Sequence, residues 1–533
     1  MKTLSLPLAA GCLVATLAPL HAQELSIGLK SEATSMDPQF HQLSTNIQVG
    51  KNIFEALTTQ DAVQKVTPGL AESWEAIDDT TWRFKLRQGV KFHNGSDFTA
   101  RDVIYSFCRV PLVQNSPSAY TIFTGGIADM TAEDDHTLII KTKDVNPLLP
   151  TDLWSLAVIS ADALGAEDEV VFAPDGECTG MGEVPQAPAF NSPDIAVGTG
   201  PYTLESYTRG SELTVARFDD YWGGTPEWER VVMRPITSDG PRVAALLAGD
   251  VDMIENPPIQ DIPRIEGEGF SVVDALSNRI IYLHMQQLDD APGIGGTDGA
   301  NPLQDARVRE AISLSINRDA IAERIMGGYA QPAGELLPPP MFGTSGREVD
   351  PYDPERAKEL LAEAGYPDGF TLNLGTPNDR YINDEQVAQA VAQMLARVGI
   401  QTTVDATTAS QFFSRRNALE FPIYMAGWGA SSGDMSSPLK SLVATYDEVT
   451  GTGTTNAGRY SNPEMDAVLA EAMATIDDAK RDEMLQQAET MVLDDYGIIP
   501  LHYEQTVWAM KSDLTYEPRV DQYTMAREVK KAE

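Results

Sequence analysis

Between Thr81 and Leu86 the chain alternates with a period of two. Trp82, Phe84 and Leu86 fall on one side of an extended backbone, and Thr81, Arg83 and Lys85 on the other. Gln88-Gly89 and Asn94-Gly95 supply turn chemistry at both ends of Val90-Lys91-Phe92, so the sequence predicts a hairpin from Thr81 to Gly95. Thr99 then stands as N-cap of a helix over Ala100 to Phe107, with Asp102 in its first turn. Strand-like and helix-like patterns intermingle along the whole chain, without internal repeats or low-complexity tracts. That mixture predicts an α/β or α+β architecture.

A second strand-rich region begins at Gly198-Thr199-Gly200-Pro201-Tyr202, runs through Leu213 to Phe218 and closes at Tyr221-Trp222-Gly223-Gly224. Residues 174 to 197 before it, rich in Pro, Gly and polar side chains, read as an irregular excursion. Pro241 to Ala248 is a short helix ended by Gly249, and Asp250 to Ile254 a strand. Arg279 to Met285 is strand-like, and Gly293 to Asn301 is a Gly-rich loop. Helices are predicted next over Asp305 to Ile325, over Pro354 to Ala364 with Asp353 as N-cap, and over Asp384 to Val398. For the last of these, Asn383 and Gln386 are spaced as a capping box. Ile498 to Tyr503 and Thr506 to Met510 return to strands.

The first 22 residues read as a cleaved signal peptide: Lys2, an apolar run from Leu4 to Leu20, and Leu20-His21-Ala22 before the cut. Ala9-Ala10-Gly11-Cys12 resembles a lipobox in part, but the apolar run continues past Cys12, so ordinary cleavage is the expectation. The run is short and broken for a bilayer span, which needs about 20 apolar residues. A content of 22% charged and 42% hydrophobic residues suits a globular chain. A formal charge of −39 argues against a nucleic-acid partner, because phosphate binding needs clustered Lys and Arg. Cys108 and Cys178 survive cleavage. In an oxidising compartment their bridge is the natural expectation, adding roughly 3 to 4 kcal/mol on the chain-entropy estimate.

Several segments, in order and spacing, resemble the peptide/nickel class of extracytoplasmic solute-binding proteins that serve ABC importers. They are Ser35-Met36-Asp37-Pro38, Pro68 to Trp74 with Thr81 to Gly95, and Gly198-Thr199-Gly200-Pro201-Tyr202. They continue with Leu247-Ala248-Gly249-Asp250-Val251-Asp252, Asp305 to Ala311, and Tyr352 to Ala357. The resemblance covers nearly all of the mature chain. It implies a mixed α/β fold of two lobes joined by two chain crossings, with ligand enclosed between them. Lobe I would be residues 23–280, with an inserted subdomain at about 71–195; lobe II would be 281–504, and 505–533 would return to lobe I. It also implies a periplasmic carrier, a monomer that captures a peptide or similar small polar solute and delivers it to permease subunits in the inner membrane. No cofactor is implied. A nickel or haem chelate, an opine or an oligosaccharide stands as an alternative cargo.

Four residues are candidates for the solute. Trp428 ends a strand-like run and is followed by a loop that faces the cleft in this class, which makes it a stacking residue. Peptide-binding relatives usually carry Asp three residues after this Trp, where it holds an α-ammonium; here Ser431 stands there, and a neutral hydroxyl is no charge partner. Asp434 is the nearest carboxylate able to serve from a shifted loop. Arg380, in Asn378-Asp379-Arg380-Tyr381, matches a loop whose Arg holds a ligand carboxylate in dipeptide-binding relatives, unless Asp379 or Asp384 occupies it. Gly429-Ala430-Ser431-Ser432-Gly433 also fits G-x-S-x-G, so a secreted hydrolase with Ser431 as nucleophile and His502 as base is the alternative from another class. Asp434 to Pro438 makes a poor helix for that motif. His41, His93, His136, His284 and His502 are scattered without metal-ligand spacing.

Overall fold

The computed structural model describes residues 23–174 and 177–532. The signal-peptide and lipobox readings fall outside those residues. Among the described residues no helix is long and apolar enough to cross a membrane.

One large mixed sheet organises the chain. In one half of it Glu24–Leu29 pairs in parallel with Arg230–Pro235 on one side and Met253–Glu255 on the other. Farther on, Phe370–Pro377 pairs in parallel with Ile400–Thr407 and Ile423–Gly429. Two long antiparallel strands, Ser271–Met285 and Ile499–Met510, join these halves. The strand pairs predicted at Ile498–Tyr503 and Thr506–Met510 are thus one continuous element.

The two long strands stay in register from Ser271 opposite Met510 to Leu276 opposite Gln505, shift between Leu276 and Ile280, and shift again between Ile281, opposite His502, and Tyr282, opposite Pro500. Apolar packing divides at the first of these shifts. Core side chains from Leu25 to Ile265 and from Trp508 to Val529 pack in clusters of their own. Those from Ile280 to Tyr503 form separate clusters. Each half has its own interior, so the three residues Ser277, Asn278 and Arg279, with Glu504 opposite, carry the connection.

A separate four-stranded antiparallel sheet belongs to the first half, in the order Ala71–Asp78, Thr81–Leu86, Thr137–Thr142, Ile127–Asp134. Trp82, Phe84 and Leu86 are buried, and the Arg83 guanidinium sits 2.9 Å from Glu75. The hairpin partner of Thr81–Leu86 is the strand before it, not Val90-Lys91-Phe92. Asp78 makes that turn by accepting the Thr80 N–H at 2.9 Å, while Lys91 forms only an isolated bridge to Asp97. Helix Ala100–Arg109 starts as expected: the Asp102 carboxylate accepts from the Thr99 N–H and hydroxyl at 2.9 and 3.1 Å. Its last turn carries Cys108, bonded to Cys178 with Cα atoms 5.9 Å apart. Closing 70 residues of separation, this bond constrains the unfolded chain by about 4 kcal/mol on the chain-entropy estimate.

Two predicted helices differ. The helix from Asp305 stops at Leu314 and restarts at Arg318, where Asn317 accepts the Ala320 N–H and so competes with continuation. Asn383 does not cap the helix Asp384–Ala396. It takes a left-handed backbone (φ 52°), and its amide donates instead to the Ile325 carbonyl.

Candidate functional site

Parallel strands leave loops at their C-terminal ends, where α/β sheets place ligands. Here four such features converge where the two halves meet: the chain after Leu29, the loop after Pro377, the loop after Gly429, and the crossing at Arg279 and Glu504. Lys30 follows Leu29, and its N–H donates to Glu255 at 2.8 Å. The other Glu255 oxygen accepts from Gln48 and Thr524 at 3.1 and 2.8 Å, so neutral donors occupy this carboxylate.

At the crossing, Arg279 lies 3.5 Å from Glu504 and also donates to Gln522 at 3.3 Å. Glu504 accepts the Ile382 N–H from the second half at 2.9 Å. Burial pushes its carboxyl up, against the pull of Arg279, Lys30 and Arg380. Those three cations therefore feel one common carboxylate.

Arg380 is exposed, and among the described residues no carboxylate pairs with its guanidinium. Both competitors are engaged elsewhere. Asp379 accepts the Ala409 N–H at 2.7 Å; Asp384 accepts the backbone N–H groups of Arg380, Tyr381 and Glu385 at 3.0 to 3.1 Å. The guanidinium lies 5.8 Å from the Tyr381 ring centre, at the outer limit of cation–π range, and the Tyr381 hydroxyl is anchored on the Gly427 carbonyl at 3.2 Å. The Lys30 residue is exposed, yet burial, and after it the charges of Arg279 and Arg380, lower its pKa against the opposing pull of Glu255 and Glu504. The two observations agree if Lys30 lines a wet recess enclosed by protein.

Trp428 is half-buried. It stands opposite Ile280 and donates its indole N–H to Ser437 at 3.2 Å. Ser431 is exposed, and its hydroxyl bonds to none of the described residues. Its carbonyl is the working group, accepting from Gln60 and Gln64 of the first half at 3.1 and 2.9 Å. Asn278 completes the bridge by donating to Gln64 and to the Ala430 carbonyl at 2.9 and 3.1 Å.

Asp434 does not serve a solute from this loop. Its carboxylate is 3% exposed and fully used: Arg481 lies 2.5 Å away, and Ser436 donates its N–H and hydroxyl. By holding the Ser436 N–H it starts the short helix Ser436–Pro438 that the sequence had argued against. The hydrolase alternative also fails. His502 is 1% exposed in a crossing strand, neither ring nitrogen has a partner among the described residues, and burial lowers its pKa to about 4. It is no base for Ser431.

On the far side of the 430–434 loop lies a cavity of about 650 Å³, lined by Trp74, Trp82, Met341, Phe342, Ile476 and Arg481. Trp82 lines this cavity as well as packing in the core, and its indole N–H is buried without a partner among the described residues. Ile476, from the second half, packs on the first half's core.

Lys30, Arg279, Glu504, Gln60 and Gln64 were not legible as site residues. The only signal was a lone charge inside an apolar strand pattern, in Arg279-Ile280-Ile281 and in His502-Tyr503-Glu504.

Residues 65–448 match the signature of bacterial extracellular solute-binding proteins, family 5 middle region. This chain belongs to that family. It is a solute-binding protein that works with ABC permeases, not a catalyst. It is 28% identical over 513 residues to the glutathione-binding protein of Salmonella paratyphi A, covering 94% of this chain and 93% of that one. Among solved structures it resembles the periplasmic binding protein DppA of Helicobacter pylori in complex with the peptide STSA (TM-score 0.72, 22% identity, 95% and 98% of the two chains). It also resembles AgaA of A. tumefaciens R10 in complex with agropinic acid (TM-score 0.69, 23% identity, 96% and 99%). These likenesses establish the two-lobed fold.

Proposed function

We propose that this family member captures a peptide or peptide-like solute in the periplasm and holds it by a carboxylate on Arg380, between lobes formed by residues 23–280 with 505–533 and by 281–504. Trp428 and Ser431 flank the solute. Closure is a hinge at Ser277–Arg279 and Glu504, driven by solute contacts with both sides. The observation that carries this reading is the Arg380 guanidinium, open to the recess while Asp379 and Asp384 hold backbone N–H groups instead. A bidentate fork without an internal partner is suited to a carboxylate from outside. The peptide and glutathione ligands named for the relatives agree with it.

Calorimetry on Arg380→Ala tests it. A peptide acid is expected to lose roughly 10- to 100-fold in affinity, as for a hydrogen bond to a charged group. Its C-terminal amide should change little. Equal losses for acid and amide would refute the role.

A further inference from the structure

The three cations around the recess are more than one carboxylate requires. Lys30 comes from the first lobe, Arg279 from the crossing and Arg380 from the second lobe. The carboxylates among them are already committed. Glu255 is held by the Lys30 N–H, Gln48 and Thr524, and Glu504 by Arg279 and the Ile382 N–H. In a protein of formal charge −39, a recess with two cationic groups lacking an ionic partner among the described residues is a local reversal of sign.

We propose that the solute bears two anionic groups, one taken by Arg380 of lobe II and the other by Lys30 of lobe I. This rests on the carrier reading above and narrows its solute to a diacid. Arg279 is held by Glu504 and Gln522 and adds positive potential between the two contacts.

The arrangement also explains how solute and closure are coupled. Lys30 and Arg380 sit on opposite lobes, and Arg380 acts to lower the Lys30 pKa, so the two cations feel each other across the recess. An empty closed state places like charges together in a poorly solvated space. A dianion bridging them turns that repulsion into attraction on both sides. A monoanion satisfies only one lobe and leaves the other charge unmatched. A ligand shifts an equilibrium only through its differential affinity for the two states, and contact with both lobes supplies that difference.

The test uses S-methylglutathione, a tripeptide with two free carboxylates whose blocked thiol leaves the Cys108–Cys178 bond alone, and its two monomethyl esters. Calorimetry and thermal shift are read on the wild type, Lys30→Met, Lys30→Arg and Arg380→Met. The wild type is expected to bind the diacid at least about tenfold more tightly than either ester. Lys30→Met should cost the diacid roughly 10- to 100-fold, and Lys30→Arg should keep affinity within about threefold. Each ester should be insensitive to one of the two Met substitutions, and to a different one. If Lys30→Met leaves diacid binding unchanged, or weakens both esters as much as the diacid, the two-anion inference falls while Arg380 capture stands. If no free peptide acid stabilises the wild type, the carrier reading of this recess falls, and the inference with it.

Discussion

The loops Asn378–Asp384 and Ala430–Asp434 leave neighbouring parallel strands at the same end of the second lobe, yet they use their carboxylates in opposite ways. In Ala430–Asp434 the carboxylate turns inward: Asp434 meets Arg481 in a pair whose side chains are 4% and 5% exposed, and Arg481 also stacks 4.1 Å over Phe342. In Asn378–Asp384 both carboxylates hold backbone N–H groups and leave the guanidinium alone. The first loop is a closed electrostatic circuit that sets shape. The second is open, and an open circuit at a lobe boundary is where an outside partner fits. A charged residue near a cleft says little until the destination of its counter-charge is known.

The largest expected effect breaks the closed circuit. Asp434→Ala should destabilise by about 3 kcal/mol in urea denaturation, because it leaves the buried Arg481 guanidinium with only the exposed Asp478 carboxylate, 3.3 Å away, as an ionic partner. A loss below about 1 kcal/mol would mean that solvent reaches Arg481 and that the contrast between the loops is false.

The next effect concerns a buried group that, unlike Asp434, has no partner among the described residues. Burial holds the His502 imidazole at about pKa 4, below its ordinary 6.5. Between those values the unfolded chain binds a proton that the folded chain does not. Stability from this residue is therefore intact above about pH 6.5 and falls as pH drops towards 4, by about 3 kcal/mol in all. Denaturation of His502→Met at pH 7 and pH 4 should show a correspondingly shallower acid loss than the wild type. An identical acid slope would show that His502 is hydrated.

The smallest effect lies at the open end of the first loop. Ser431→Ala should change stability by less than about 0.5 kcal/mol, since its hydroxyl bonds to no described residue. Its effect on solute affinity should be about threefold to tenfold, the scale of one neutral hydrogen bond and below that of Arg380→Ala. A loss as large as that of Arg380→Ala would move the centre of recognition to this loop.

The scaffold was largely legible because its signals are local. Alternation at Trp82, Phe84 and Leu86, the Thr99 N-cap with Asp102 in the first turn, and the Gly249 stop each depend on a few adjacent residues. The hairpin partner was misjudged because Asp78-Asp79-Thr80 is a turn without glycine, and a side chain closes it. The site was only partly legible. Arg380 and Trp428 came from resemblance, whereas Lys30, Arg279 and Glu504 lie as far apart as 474 positions in the chain. Their meeting follows from strand order, which no local pattern encodes. Asp434 was misread for the same reason: Arg481 is 47 residues away in a helix whose fold-level position decides the pairing.

The Gln60, Gln64 and Asn278 bridge to the 430–431 carbonyls bears on how fast and how far this molecule responds. Those contacts join the lobes through neutral hydrogen bonds to two carbonyls, which water can satisfy once the lobes part. Each exchange is nearly even, of the order of 1 kcal/mol. The proposed hinge is therefore not locked by these hydrogen bonds, and its position would lie within reach of the few kcal/mol that one small solute can contribute. A carrier needs that balance twice: to shut on a dilute solute, and to let go at the membrane.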